Sequence, residues 1–217
     1  MILKLFTITI DSNRSRLETV DQLRPFLAGK FSLYTDLHKE ESARFIHRYP
    51  VLQCKIVENR ILVLGINEGA EFLREFSGET TGFSANGIAC TITEREPLVR
   101  DEEFALRAEA TSYEFLTQWL ALNQQNAKKF YTLQGKPARD TFMKMILADN
   151  LATLAKSLGY DLPSPITCEG TIRFKKDRID NTNVMVFSGK FRTNLRIPDY
   201  LGIGQSVSAG FGTLRKV

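Results

Sequence analysis

Two histidines, His38 and His47, are the only imidazoles in this 217-residue chain, and they stand close together in sequence. An imidazole with a pKa near 6.5 gives and takes protons at neutral pH, so a pair can serve as base and acid across a scissile phosphodiester. Lys30, Tyr34, Glu40, Arg44, Arg48 and Tyr49 surround them in the sequence. His47 and Tyr49 are two apart in an expected strand over Phe45–Val57 and so share one of its faces, whereas His38 falls in a polar stretch that reads as loop. The competing reading is a pair of solvated surface histidines. HExxH, CxxC and GxSxG motifs are lacking, and Asp36, Glu40 and Glu41 are interleaved with Lys39 and Arg44. No metal site and no cofactor are expected. For an enzyme, acid–base chemistry without a metal is the economical reading.

A second feature closes the chain: Gly202-Ile203-Gly204-Gln205-Ser206-Val207-Ser208-Ala209-Gly210-Phe211-Gly212. Glycine reaches positive φ and admits another backbone or a phosphate chain at close range. A dinucleotide fingerprint is excluded, because Val207 occupies the place of its third glycine and too few residues follow Gly212 for its helix.

The chain is 43% apolar and 25% charged, an ordinary globular composition. Met1–Ile10 is apolar in alternation but has no basic leader, and no run approaches the ~20 apolar residues of a membrane span. Cys54, Cys90 and Cys168 are odd in number and widely spaced, as expected of reduced thiols and a cytoplasmic location. Residues 1–97 carry 12 basic and 13 acidic side chains, whereas residues 98–217 carry 17 and 12. A basic second half points to a polyanion partner; the alternative is a solubilising surface alone.

The elements that must position these groups follow from periodicity. Over residues 1–97 the order reads βαββαβ: a strand to Ile10, a helix from Ser15 stopped near Pro25 or Gly29, strands Phe45–Val57 and Arg60–Ile66 joined at Glu58-Asn59, a helix over Asn67–Phe76 and a strand over Gly87–Glu96. Pro97 marks a domain boundary. Residues 98–217 repeat the order: a strand over Phe104–Ala110, a helix over Tyr113–Asn123, the clearest helix over Asp140–Leu158, strands Ile166–Lys175 and Asn183–Ile197 around a basic turn at Lys175–Arg178, then the glycine loop and a last strand. In Asn183–Ile197, Met185, Phe187, Phe191, Leu195 and Ile197 face one way and Lys190, Arg192, Asn194 and Arg196 the other. The expected fold is α+β, two tandem ferredoxin-like (βαββαβ) domains over 1–97 and 98–217 with a C-terminal glycine-rich loop.

Two blocks bring a family into view: Phe45-Ile46-His47-Arg48-Tyr49-Pro50-Val51-Leu52-Gln53-Cys54-Lys55 and Leu64-Gly65-Ile66-Asn67-Glu68-Gly69-Ala70-Glu71. Together with the duplicated fold and the Gly202–Gly212 loop, they resemble the repeat-associated RNA-binding superfamily, and within it the b-type CRISPR-associated endoribonucleases that process precursor guide RNA. The resemblance implies metal-independent cleavage, in which a ribose 2′-hydroxyl attacks the adjacent phosphate and leaves 2′,3′-cyclic phosphate and 5′-hydroxyl ends. The site it implies is a lysine, two closely spaced histidines and a tyrosine. Lys30 and His38 match the first two, the second histidine falls on Glu40, and the tyrosine falls near His47 or Tyr49. His38 is then base or acid with His47 as partner, Lys30 neutralises the phosphate and Tyr49 supports them. Otherwise His38 works alone with Tyr49 and Lys30, or activity is reduced.

On the same resemblance Lys128, Lys129, Lys136, Arg139, Lys175, Lys176, Arg178, Lys190, Arg192 and Arg196, with Gly202, Gly204, Gly210 and Gly212, would track the RNA backbone. Phe130 and Tyr131 would stack on bases, or else belong to the core. The implied partners are CRISPR repeat RNA and other CRISPR-associated proteins, for a monomer or homodimer with no membrane contact. Two further readings remain open: an RNA-binding subunit with little or no activity, and a ferredoxin-like scaffold without RNA.

Overall fold

The structure is a computed structural model that describes residues 1–37, 49–79, 82–85, 88–179 and 182–217. The chain divides into two compact units, one of Ile2–Glu102 with Ser208–Gly210, the other of Met1, Glu103–Val207 and Phe211–Val217.

The first unit runs β1 (Ile2–Ser12), α1 (Arg16–Leu37), β2 (Leu52–Val57), β3 (Arg60–Ile66), α2 (Glu68–Glu79), β4 (Gly82–Ala85) and β5 (Ile88–Glu103). Its sheet has the order β2-β3-β1-β5-β4, which is a βαββαβ core with β4 added at one edge. The β2–β3 hairpin turns at Glu58 and Asn59 with φ of 49° and 64°, the two left-handed residues that let a two-residue turn follow the strand twist. Phe6, Ile8, Ile10, Ile61 and Val63 meet Val20, Leu23 and Leu27 of α1 and Phe72 and Leu73 of α2 in one apolar core. Leu5, Leu62 and Leu64, on the opposite face of the sheet, are buried as well. Burial on both faces is why Arg60–Ile66 reads as an almost unbroken apolar run.

Two expected stops do not occur. The first helix continues past Pro25 and Gly29 to Leu37, because Thr19, Val20, Leu23 and Leu27 anchor one face while Pro25 lies exposed on the other. There, water can satisfy the carbonyl that the proline ring leaves without an amide partner. The strand over Gly87–Glu96 likewise runs on through Pro97 to Glu103, so that proline does not punctuate the chain.

The second unit runs β6 (Ala105–Phe115), α3 (Gln124–Thr132), α4 (Lys136–Ser157), β7 (Cys168–Ile179), β8 (Thr182–Arg196) and β9 (Leu214–Lys216). Its sheet order, β7-β8-β6-β9, repeats the β2-β3-β1-β5 order of the first unit. Residues 197–213 stand where the second helix of the motif would be and hold a single 3₁₀ turn, Val207–Ala209. Four glycines and Pro198 in that span make a helix unfavourable.

The expected helix over Tyr113–Asn123 is absent. Tyr113 continues β6, and Trp119 bridges Phe187 through paired backbone hydrogen bonds of 2.8 and 2.9 Å. Trp119 is fully buried, stacks on Phe115 at 5.0 Å and donates its indole N–H to Asn150 Oδ1. The helix of this region starts later, at Gln124, where the Asn123 side chain accepts the Asn126 amide. The expected turn at Lys175–Arg178 is also strand: β7 and β8 stay paired out to Ile179 opposite Thr182, so those cations lie along a long ribbon.

Candidate functional site

Of the expected proton-transfer residues, His38 and His47 lie outside the described residues. Lys30 is exposed on α1, with Nζ 5.9 Å from the Phe26 ring centroid. Tyr49 is half-buried and precedes β2 rather than lying in it, so the strand face it was expected to share with His47 is not formed at Tyr49. Among the described residues no group of three or more His, Cys, Asp or Glu could hold a metal ion. The thiols are free, and burial raises Cys54 to about 12 and Cys168 to about 11, which keeps both protonated and unreactive.

The glycine loop presses on the chain itself. Gly204 has φ of 89°, and a Cβ there would lie 2.5 Å from the Trp119 indole nitrogen and 2.7 Å from the Leu120 carbonyl oxygen. A Cβ at Gly212 would meet the Ile203 carbonyl, and Gly202 is buried in a bridge to Thr213. At Gly210, φ is 89° and a Cβ would stand 2.8 Å from Lys55 Cβ. Glycine at these positions is thus required by self-packing, whatever else the loop contacts.

Lys55 is a feature that sequence reasoning missed. It sits in β2 with 0% of its surface exposed, under Gly210, and its ammonium donates to Gln53 Oε1 at 2.8 Å. Burial pulls it from 10.5 down to about 7, with Cys54 opposing the shift. The available signal was a lone cation inside the apolar run Leu52–Val57, two residues from a side-chain amide that could hold it.

The basic side chains sort into two sets. Lys190 pairs with Glu114 at 3.3 Å, Arg196 with Glu103 at 3.6 Å and Lys175 with Asp177 at 2.9 Å. The Lys175 partnership leads the effects that hold Asp177 down at about 2, and Arg215 leads those that lower Glu114. Glu114, Glu169, Arg173, Lys190 and Arg192 border an open cleft of roughly 900 Å³ on the sheet, where the charges of the two signs alternate. The second set makes no ion pair among the described residues: Lys128 and Lys129 on α3, Lys136 and Arg139 at the start of α4, Lys176 and Arg178 on β7, and Arg192 on β8. The expected division of the Asn183–Ile197 strand holds for Phe187, Phe191, Leu195 and Ile197, which are buried, and for Lys190, Arg192 and Arg196, which are exposed; Met185 and Asn194 are both half-buried, and Val186, on the polar face by alternation, is buried. Of the two aromatic candidates on α3, Phe130 is only 1% exposed and belongs to the core, whereas Tyr131 is 54% exposed.

Comparison with known proteins assigns the chain. The solved structure described as "Crystal structure of Cas6b" superposes with a TM-score of 0.83 at 29% identity, covering 100% of both chains. Another, "Crystal structure of CRISPR RNA processing endoribonuclease Cas6b", gives 0.79 at 28% identity, again over 100% of both. An uncharacterised protein of Methanocaldococcus jannaschii is 30% identical over 121 residues, spanning 55% of this chain and 81% of that one. The Cas6b N-terminal domain family matches residues 1–103 and the Cas6b C-terminal domain family residues 105–217; the chain belongs to the Cas6b family.

Proposed function

We propose that this protein is an endoribonuclease that cuts CRISPR repeat RNA into guide RNAs by a metal-independent mechanism. The observation that carries this reading is the Cas6b match along both units, with a solved relative titled as a CRISPR RNA processing endoribonuclease. In the proposed reaction a base takes the proton of a ribose 2′-hydroxyl, the oxygen attacks the adjacent phosphorus, and an acid protonates the departing 5′ oxygen. The products are a 2′,3′-cyclic phosphate and a 5′-hydroxyl. His38 and His47 supply the two proton-transfer groups, Tyr49 a further donor, and Lys30 a positive charge for the crowded phosphate. The cations without an ion-pair partner on α3, α4 and β7 hold the RNA backbone. With a labelled repeat RNA, the expected outcome is a cut at one position that EDTA does not suppress and that His38→Ala abolishes.

A second reading rests on Glu40, which stands where the family pattern has a histidine. A carboxylate there repels phosphate, and the protein would then hold repeat RNA and cut it slowly. Repeat binding without cleavage in the same assay would favour it.

A further inference from the structure

Phe174 is 43% exposed on β7, an edge strand of its sheet, although it touches the aromatic core. Its ring meets buried Phe130 edge-on at 5.2 Å. The Arg139 guanidinium lies 5.4 Å from the Phe130 centroid and 5.9 Å from that of Phe174, and its Nε donates to the Leu133 carbonyl at 3.3 Å. The fork is therefore steered by two rings and a backbone acceptor, with no carboxylate pairing it among the described residues. Tyr131, 54% exposed, packs against the same Phe130 at 6.2 Å.

We propose that Phe174 and Arg139, with Tyr131 beside their common support Phe130, form a stacking subsite for an unpaired base of bound RNA. The inference rests on the RNA-processing reading above and goes further in naming where a base, rather than a phosphate, is held. An aromatic face and a planar guanidinium are the two surfaces on which single-stranded bases stack, and neither demands a particular base. The surroundings fit a strand of nucleic acid. Lys176 and Arg178 follow Phe174 at two-residue steps and share its face of β7, and Lys128 and Lys129 precede Phe130 on α3. None of these four cations pairs with a described carboxylate, though Lys129 Nζ lies 5.3 Å from the Phe142 ring centroid, so phosphates flanking a stacked base would meet ammonium and guanidinium groups without a competing anion. An apolar protein partner would gain nothing from that ring of charge.

The test uses the full chain and two probes, a 12-nucleotide oligoadenylate and the matching oligomer of abasic ribose phosphates. Phe174→Leu keeps an apolar side chain against Phe130; the melting temperature is expected to stay within about 2 °C. Affinity for oligoadenylate is expected to fall on the order of tenfold, while affinity for the abasic oligomer stays unchanged. Lys176→Glu should weaken both probes alike, and Phe174→Trp should preserve binding to oligoadenylate. Equal effects of Phe174→Leu on both probes, or none on either, would overturn the subsite and leave the processing reading standing. Failure of the wild-type protein to bind any RNA would overturn both. Unchanged RNA affinity with loss of a protein from the purified CRISPR complex would assign the patch to a protein partner instead.

Discussion

A lysine with none of its surface exposed ties stability to pH. Lys55 titrates at 10.5 in an unfolded chain and at about 7 in the fold, because burial penalises its charged form. Below pH 7 both states hold the proton and the full penalty applies. Between 7 and 10.5 the unfolded chain binds more protons, so stability rises with pH, and above 10.5 the penalty is gone. The urea midpoint of the wild type is therefore expected to climb from pH 7 to about 8.5, below the range where the raised Cys54 and Cys168 thiols act in the opposite direction, and Lys55→Met to flatten that slope; parallel slopes would contradict the burial. Thiol chemistry follows the same cause. Cys54, raised to about 12, should resist iodoacetamide at pH 8 in the folded protein and react once urea unfolds it. For the proposed chemistry, His38→Ala is expected to lower the single-turnover cleavage rate by about 10²–10⁴-fold with little change in RNA affinity. A comparable loss of affinity would instead make His38 a binding residue.

Elements with a local cause were legible in the sequence, and those with a distant cause were not. Glu58-Asn59 announces its turn because a polar pair interrupts two strand-like runs and its asparagine tolerates the left-handed conformation. The apolar stripe of α4 predicts a long helix, since Leu147, Leu151 and Leu154 are buried by that helix's own periodicity. By contrast, Tyr113, Leu116 and Leu120 carry helical spacing yet occupy a strand and an extended bridge. What decides is Phe187, 68 positions beyond Trp119, whose backbone takes both of Trp119's hydrogen bonds. Lys55 was missed for a similar reason: alternation in β2 marks it as solvent-facing, and the segment that covers it, Ser208–Gly210, comes from the far end of the chain. The glycine loop was legible as a need for close approach but not as to its object. Gly204→Ala forces a Cβ onto the Trp119 indole at a positive φ and is expected to destabilise the protein by about 1–3 kcal/mol, read as a lowered urea midpoint. An unshifted midpoint would mean that the loop does not need the packing described.

Across the whole molecule, the two-unit plan with a shared strand order was legible from the repeated order of elements, and the basic second half from composition. Composition does not show which cations carry net attraction, because the sheet brings distant carboxylates to Lys190 and Arg196, and Lys175 pairs with Asp177 two residues along its own strand. Neutralising Lys128, Lys176 and Arg178 together is therefore expected to weaken repeat RNA binding, and to flatten its salt dependence, more than neutralising Lys175, Lys190 and Arg196. The reaction itself is tested most directly by a repeat RNA whose single scissile nucleotide lacks its 2′-hydroxyl. The deoxy substrate is expected to bind with unchanged affinity and to remain uncut in EDTA, while the all-ribose RNA is cut at that nucleotide and carries a 2′,3′-cyclic phosphate. Cleavage of the deoxy substrate, or cutting that appears only on addition of magnesium and leaves a 3′-hydroxyl, would contradict it.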